Sequence, residues 1–339
     1  MMETIVSNDS KAQRADLFVV NLLNNNGFEF VTRAFLQKNW NDFVQVNQKR
    51  IKPSYKLREG DIVSVFTEII NEKIKEENNV YRILPQKGDL DIVYENDEYL
   101  IINKQSGVVV HPGSGNTNNT LSNYVMYYLK QKNQFDPRIK RAGIVHRLDK
   151  GVSGLILFAK TLESQQYFQK LFSQHQVVKI YHAKINKNPF SIFNKIPQVD
   201  SKQRDIVDVL REQELNGFLI DSNWVKIEGY IKRSNINRMK MQFTPISSIR
   251  GGGKYSCTYI LPLNENEILV RIETGRMHQI RATLEYLGAN IINDTLYETK
   301  KGRGGVPEQI ELKSVLISFL EQDGQRVTYN LYRNEKKKN

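Results

Sequence analysis

Apolar residues recur along this chain in two rhythms, and the change between them marks its organisation. Leu17, Val20, Leu22 and Leu23 return at roughly helical spacing, and Asn24-Asn25-Asn26-Gly27 supplies a stop. Thr32 stands where a hydroxyl caps a second helix over 33–39. "VQVNQKRIKPSYKLREGDIVSVF" then alternates as two strands do, with turns at Asn47-Gln48 and Glu59-Gly60-Asp61. The stretch 71–79, NEKIKEENN, is charged and poor in apolar side chains, and reads as a linker.

From about residue 89 the rhythms mix. "DIVYENDEYLIINK" predicts two strands about a turn, and 120–132 a helix opened by Thr120. A buried strand is expected over 154–160. A helix capped by Thr161 follows over 162–174, with Phe168 and Leu171 on its apolar side. Residues 177–185, 224–231, 239–243, 257–261 and 268–273 read as strands. An extra polar stretch at 186–223 carries a short helix at 205–213. Strands outnumber helices without regular alternation, which predicts an α+β fold with a mixed, mostly antiparallel sheet. A small N-terminal α/β domain over 13–70 precedes it, then a linker over 71–88 and a main domain over 89–335. No repeat of fixed period is found.

A hydrophobic share of 40% is enough for a real core, so wholesale disorder is excluded. Lysine and arginine total 49 against 37 acids, a net charge of +12, which favours a polyanionic partner, nucleic acid before membrane. The opening MMETIVSNDSKAQR has no apolar stretch long enough for a signal peptide, and the longest apolar runs, such as 155–159, are too short to span a bilayer. Cys257 is the only cysteine, so neither an intramolecular disulfide nor a thiolate metal cluster can form. The chain reads as a soluble, cytosolic monomer.

Several patterns fail on inspection. Arg250-Gly251-Gly252-Gly253-Lys254 resembles a phosphate loop, but Tyr255 stands where Ser or Thr must meet magnesium and the first glycine is missing. His146-Arg147-Leu148-Asp149 resembles a kinase catalytic loop, but no glycine-rich loop or Asp-Phe-Gly accompanies it. His111, His146, His175, His182 and His278 show no metal-binding spacing.

In "AGIVHRLDKGVSGLILFAKT", Asp149 lies between Arg147 and Lys150. An acid there is either a turn residue bonding its own backbone or a reactive group. A second segment, "TGRMHQIRATLEYLGANIINDTLY", bears on the choice. A helix over 277–287 gathers Ile280, Leu284 and Leu287 on one stripe and sets His278 and Arg281 on another face, with Gly275 turning into it and Gly288 stopping it. Arg281 is then held on a rigid element, aimed away from the core, where a salt bridge would keep a carboxylate ionised.

"HRLDKGVSG", "KIYHA" at 179–183 and "TGRMHQIR" together resemble the signature of the RluA/RluC/RluD family of pseudouridine synthases. "YLIINKQSGVVVHPG" and "NRMKM" add to it, so the resemblance runs in order through about 91–297. The first region more loosely resembles the ribosomal-protein S-four type RNA-binding domain, through "QRAD" and "VQVNQKRIKPSYKLREGDIV". Three departures are visible. Val152 replaces the usual Thr or Ser, Thr283 replaces a histidine, and "ANIINDTLYE" lacks the usual proline and glycine, which is expected to affect a turn more than chemistry.

The resemblance implies isomerisation of uridine in RNA to pseudouridine, with no cofactor and no metal. Asp149 matches the catalytic aspartate, as nucleophile on the anomeric carbon or as base on the neighbouring ribose carbon. Arg281 would pair with it, with Arg276 as the alternative, and Tyr181 would stack on the target base and move a proton. The uridine must be flipped out of its stack, and Arg147 is the family's wedge for the gap. His146, Lys150, Arg276, His278 and Gln279 join Arg147 as expected substrate-binding residues. Arg33, Lys38, Lys49, Arg50 and Lys52, with Lys56, would meet phosphate in the first domain. The preferred substrate is large-subunit ribosomal RNA; transfer RNA and a non-catalytic RNA-binding assembly factor stay open.

Overall fold

The computed structural model describes residues 1–7, 12–28, 31–80, 83–113, 116–193, 204–248, 252–298 and 309–333. Arg250 and Gly251 of the glycine-rich pattern and 194–203 of the polar stretch therefore lie outside the described residues. The chain divides into two compact units, Met1–Arg82 and Ile83–Asn339. None of the described helices is long and apolar enough to cross a membrane.

In the first unit β1 (Met2–Ile5), α1 (Ala15–Asn25), α2 (Arg33–Lys38), α3 (Trp40–Phe43), β2 (Val44–Val46), β3 (Ile62–Val65) and α4 (Thr67–Val80) follow in order. β3 lies between β1 and β2, antiparallel to both. The inward face of α1 is Ala15, Val19 and Leu23, whereas Leu17 points outward, one position off the expected stripe. Asp16 explains the offset. It too faces inward, fully buried, and draws Arg14 (3.0 Å), Arg33 (2.9 Å) and Gln37 (2.5 Å) around it. Burial opposes its charge, but those three donors prevail and hold the carboxyl well below the usual range. Thr32 caps α2 by accepting from the Phe35 amide at 3.2 Å. The stretch expected as a linker is helical as far as Val80, because its Glu and Lys residues are good helix formers whatever their lack of apolar surface.

The second unit contains β4 (Ile92–Glu95), β5 (Tyr99–Lys104), α5 (Leu121–Gln131), β6 (Ser153–Ala159), α6 (Leu162–Ser173), β7 (Val178–Lys184), α7 (Pro189–Phe193), α8 (Ile206–Leu215), β8 (Val225–Arg233) and β9 (Met241–Pro245). After these come β10 (Lys254–Pro262), β11 (Glu267–Ile272), α9 (Gln279–Tyr286), α10 (Thr295–Glu298), β12 (Leu312–Leu320) and β13 (Arg326–Asn330). Among the described residues one sheet runs β4-β5-β6-β12-β7-β11-β10-β8-β9, with β13 on β12. Every pairing is antiparallel except β6 with β12, which meet at Ser153↔Lys313 and Gly154↔Ser314. The architecture is α+β with a mixed, mostly antiparallel sheet.

The short parallel contact joins the two halves of the sheet, and Gly154 permits it. Its φ is +104°, and a Cβ there would stand 2.1 Å from the Ser314 carbonyl oxygen. The alternation of β7 then separates two cores. Ile180 packs with Val209 and Leu210 of α8 and Leu316 of β12. Tyr181 and Ala183 face the opposite side, with Ile280 and Leu284 of α9.

Candidate active site

Asp149 occupies a turn whose backbone is held at every carbonyl. Leu148 and Val152 are buried on either side of it, so the chain must bulge outward between them. The Asp149 carbonyl accepts from Val152 N at 3.1 Å. That of Lys150 accepts from Gly107 N (2.9 Å) and Lys104 Nζ (3.2 Å), and that of Gly151 from Ser106 Oγ (2.6 Å) and Ile310 N (3.1 Å). Lys104 is itself 1% exposed and also bonds the carbonyls of Gln105 and Val108. Burial pulls its pKa down to about 8, with Asp149 pulling the other way. Val152, where a hydroxyl was expected, gives its side chain to the apolar core.

Arg281 reaches the acid from α9. Its Nη1 donates to Asp149 Oδ2 at 3.2 Å, while Nε and Nη2 grip Asp294 at 2.7 and 2.8 Å. Asp294 is fully buried and the Arg281 side chain is 3% exposed. The guanidinium therefore lies inside the fold rather than aimed away from it, because a second carboxylate compensates its desolvation. Burial works against its charge, yet Asp294 and Asp149 raise its pKa. Beneath it lies the Tyr297 ring, 4.8 Å from Cζ. The Tyr297 hydroxyl is fixed by Met241, accepting from its amide at 2.8 Å and donating to its carbonyl at 3.1 Å. The segment "ANIINDTLYE" thus supplies the two groups that hold Arg281, a role beyond the turn expected of it.

α9 begins two residues later than expected, because His278 adopts a left-handed conformation at φ +53° as its N-cap. The turn swings the ring back, so Nε2 stands 3.7 Å from Asp149 Oδ2 and Nδ1 is 3.1 Å from the Tyr297 hydroxyl. Burial lowers its pKa, with Asp149 raising it and Arg281 lowering it. Gln279 holds the turn. Its Nε2 donates to Cys257 O and Thr258 Oγ1, both at 3.0 Å, and its Oε1 accepts from Thr274 Oγ1 and the Arg276 amide. Both ends of that amide are engaged by protein, which departs from the substrate contact expected of it. Arg276 bonds the Tyr255 carbonyl at 2.7 Å and is half-buried, with no tie to Asp149.

Two hollows meet at Asp149. One, of about 580 Å³, is lined by His146, Phe172, Lys179, Tyr181, Arg276 and Arg281 among others. The other, of about 390 Å³, is lined by His111, Pro112, Asn116 and Lys150. Arg147, Asp149, His278 and Arg281 border both, and Arg147 is exposed. Tyr181 is 6% exposed. Burial first, and the negative Asp149 second, raise its phenol well above the ordinary value, so it stays protonated at neutral pH. His146 is tied inward, its Nε2 accepting from the Leu157 amide at 2.9 Å and its ring stacked on Phe172. Burial, then Lys179, drives its pKa down to about 3, so it is neutral.

In the first unit Lys38, Arg50 and Lys52 border one shallow hollow of about 500 Å³ beside Trp40. Lys49 and Lys56 are exposed outside it, and Arg33 is committed to Asp16.

Lys104, Asp294 and Tyr297 were missed from sequence. Each stood inside a quoted string, but nothing local distinguishes a buried lysine or aspartate from an exposed one.

Residues 98–286 match the family model described as RNA pseudouridylate synthase. Ribosomal large subunit pseudouridine synthase D of Zymomonas mobilis is 32% identical over 64% of this chain and 58% of its own length. The protein of that name from Neisseria meningitidis serogroup B is 32% identical over 75% of this chain and 56% of its own. The chain spans a little over half the length of these curated relatives. Among solved structures, human RNA pseudouridylate synthase domain containing 1 is 19% identical with a TM-score of 0.47, over 72% of this chain and 85% of that one.

Proposed function

The chain belongs to the RNA pseudouridylate synthase family, and from that premise we propose that it isomerises uridine to pseudouridine in RNA. The observation that carries the proposal is the meeting of Asp149, Tyr181 and Arg281. They come from a turn, a strand and a helix, and border one hollow, with Arg281 Nη1 3.2 Å from the acid. Asp149 acts on the ribose, either attacking the anomeric carbon or removing the proton next to it. Arg281 holds it in place through the Nη1 bond. Tyr181, flat and protonated at the floor, offers the released base a stacking surface and a hydroxyl.

The hollow is too deep for a base still stacked in a helix, so the target uridine is flipped into it. Arg147, exposed at the border of both hollows, is placed to fill the vacated stack. The preferred substrate is large-subunit ribosomal RNA, supported by the names of the relatives and by the basic balance of the chain. The first unit serves as an RNA-binding domain of the S-four type, through Lys38, Arg50 and Lys52, acting on phosphate rather than sequence. The reaction is then placed in the cytoplasm. Mapping pseudouridines in cellular RNA with and without the gene tests the reading. Loss of one or more sites that return with the wild-type gene, and not with the Asp149→Asn gene, is the expected result; identical maps reject it.

A further inference from the structure

Lys179 is a buried cation that the site described so far does not use. It lies two residues before Tyr181 on β7, on the same face of the strand, and is 7% exposed. It borders the larger hollow. Among the described residues no acid and no hydrogen-bond acceptor meets its ammonium. It stands 5.5 Å from the centre of the Phe172 ring, and a Cβ added to Gly275 would lie 3.8 Å from Nζ, so the loop before α9 passes close to the ammonium without setting a side chain against it. Lys104, another buried lysine that borders the Asp149 turn, contrasts with it, since three carbonyls satisfy that ammonium. An unpaired buried ammonium is costly to the fold. Burial brings the Lys179 pKa down to about 8, which still leaves it largely charged at neutral pH.

We propose that Lys179 receives the negative charge of the uracil ring when its bond to the ribose breaks. The step balances whichever role Asp149 takes. In one, an Asp149 oxygen bonds the anomeric carbon as the carbon–nitrogen bond breaks. In the other, Asp149 takes the adjacent ribose proton and a carbon–carbon double bond forms. Both send the electron pair to uracil N1, from where it spreads to the O2 and O4 oxygens. The carbon C5 of the turned ring then bonds the anomeric carbon as the Asp149–carbon bond breaks or, on the other route, as Asp149 returns its proton to the ribose double bond. The C5 proton passes to N1, so no co-reactant enters. A base lying on Tyr181 places an oxygen-bearing edge toward the neighbouring Lys179. A preset, largely buried cation stabilises such charge with little reorganisation of solvent. A backbone phosphate fits less well, because it would carry its hydration to the part of the hollow beside Phe172, Ile272 and Leu312, while Arg147 is exposed at the border for that purpose.

The inference rests on the function proposed above. The test uses the full chain and large-subunit RNA extracted from cells lacking the gene. It compares wild type, Lys179→Met, Lys179→Arg and Asp149→Asn for single-turnover rate, RNA affinity and melting temperature. Lys179→Met should lower the saturating rate about 10²-fold, the scale of one lost anion-stabilising donor. Its affinity should stay within about threefold and its melting temperature should hold or rise, since a desolvated charge is gone. Lys179→Arg should recover part of the rate. An unchanged Met rate overturns the inference. So does a loss of affinity with a normal saturating rate, which would assign the ammonium to phosphate, or a fall in melting temperature, which would make it structural. If wild type forms no more pseudouridine than Asp149→Asn, the functional reading itself fails and this inference with it.

Discussion

Asp294→Asn is the most informative single substitution in this site, because Asp294 touches no open space and acts only through Arg281. The side chain is fully buried and accepts two bonds from a guanidinium that is itself 3% exposed, so solvent does not weaken the pair. Asparagine keeps the volume but removes the charge and turns an N–H donor toward the guanidinium. Removing one partner of a buried pair costs ~3–5 kcal/mol. Asp149 still holds Nη1 at 3.2 Å, which places the expected loss at the lower end, about 3 kcal/mol. In a unit of this size that lowers the melting temperature by about 6–12 °C.

A double substitution separates stability from chemistry. Arg281→Met with Asp294→Leu replaces the pair by apolar side chains, and such replacements are neutral or stabilising. Melting, followed by circular dichroism, should return to within a few degrees of wild type. Isomerisation should stay absent, since Asp149 has lost its cation. Two results would refute the reasoning: an Asn variant that melts within about 2 °C of wild type and keeps its rate, or a double variant that regains activity.

Other expectations follow from the same geometry. Asp149→Asn should abolish isomerisation and leave RNA affinity within about twofold, as both roles open to the acid need its negative charge; gel-shift titration beside a pseudouridine assay checks it. Tyr181→Phe should keep the stacking, worth ~1–3 kcal/mol per base, and turn over slowly at near-normal affinity. Gly154→Ala should destabilise the fold by ~1–3 kcal/mol or more, read by urea unfolding, because the strand cannot stay against Ser314 with a Cβ at 2.1 Å. Lys38→Gln, Arg50→Gln and Lys52→Gln together should make the log–log salt slope of RNA binding shallower by about 2–3, at ~0.7–0.9 per lost phosphate contact, with the saturating rate unchanged. An unchanged slope would remove these side chains from the RNA interface.

Where a local rule decides a structure, the sequence was legible. Thr32 and Thr161 cap helices because a hydroxyl before a helical run has one good use, and the short helix expected at 205–213 is found at Ile206–Leu215, capped by the Asp205 carboxylate. β12 was not legible, although it lies at the middle of the sheet. "VLISF" is buried on both faces, so it lacks the alternation that betrays a half-exposed strand, and it is too short to choose between strand and helix. β1 is short and exposed at alternate positions, and nothing before it in sequence suggests a partner. The site divided along the same line. Asp149, Tyr181 and Arg281 stood in recognisable strings. Their environment did not, because it depends on what distant segments bring: Lys104 beneath the Asp149 turn, Asp294 behind Arg281, and Lys179 with no counter-ion among the described residues.

That environment bears on how one acid can be both held and available. Arg281 divides its guanidinium unequally. Asp294 takes the close two-point grip at 2.7 and 2.8 Å, whereas Asp149 receives one longer bond at 3.2 Å, and only through Oδ2. A two-point grip on Asp149 would hold both of its oxygens and oppose any movement toward a sugar. With the anchoring assigned to a carboxylate that never meets substrate, Asp149 keeps a cation 3.2 Å from Oδ2 without a two-point grip. Its Oδ1 has no partner among the described residues and stays available to the hollow. Under either role for the acid, this asymmetry makes Asp294 a positioning residue: it carries the electrostatic load that would otherwise restrain Asp149.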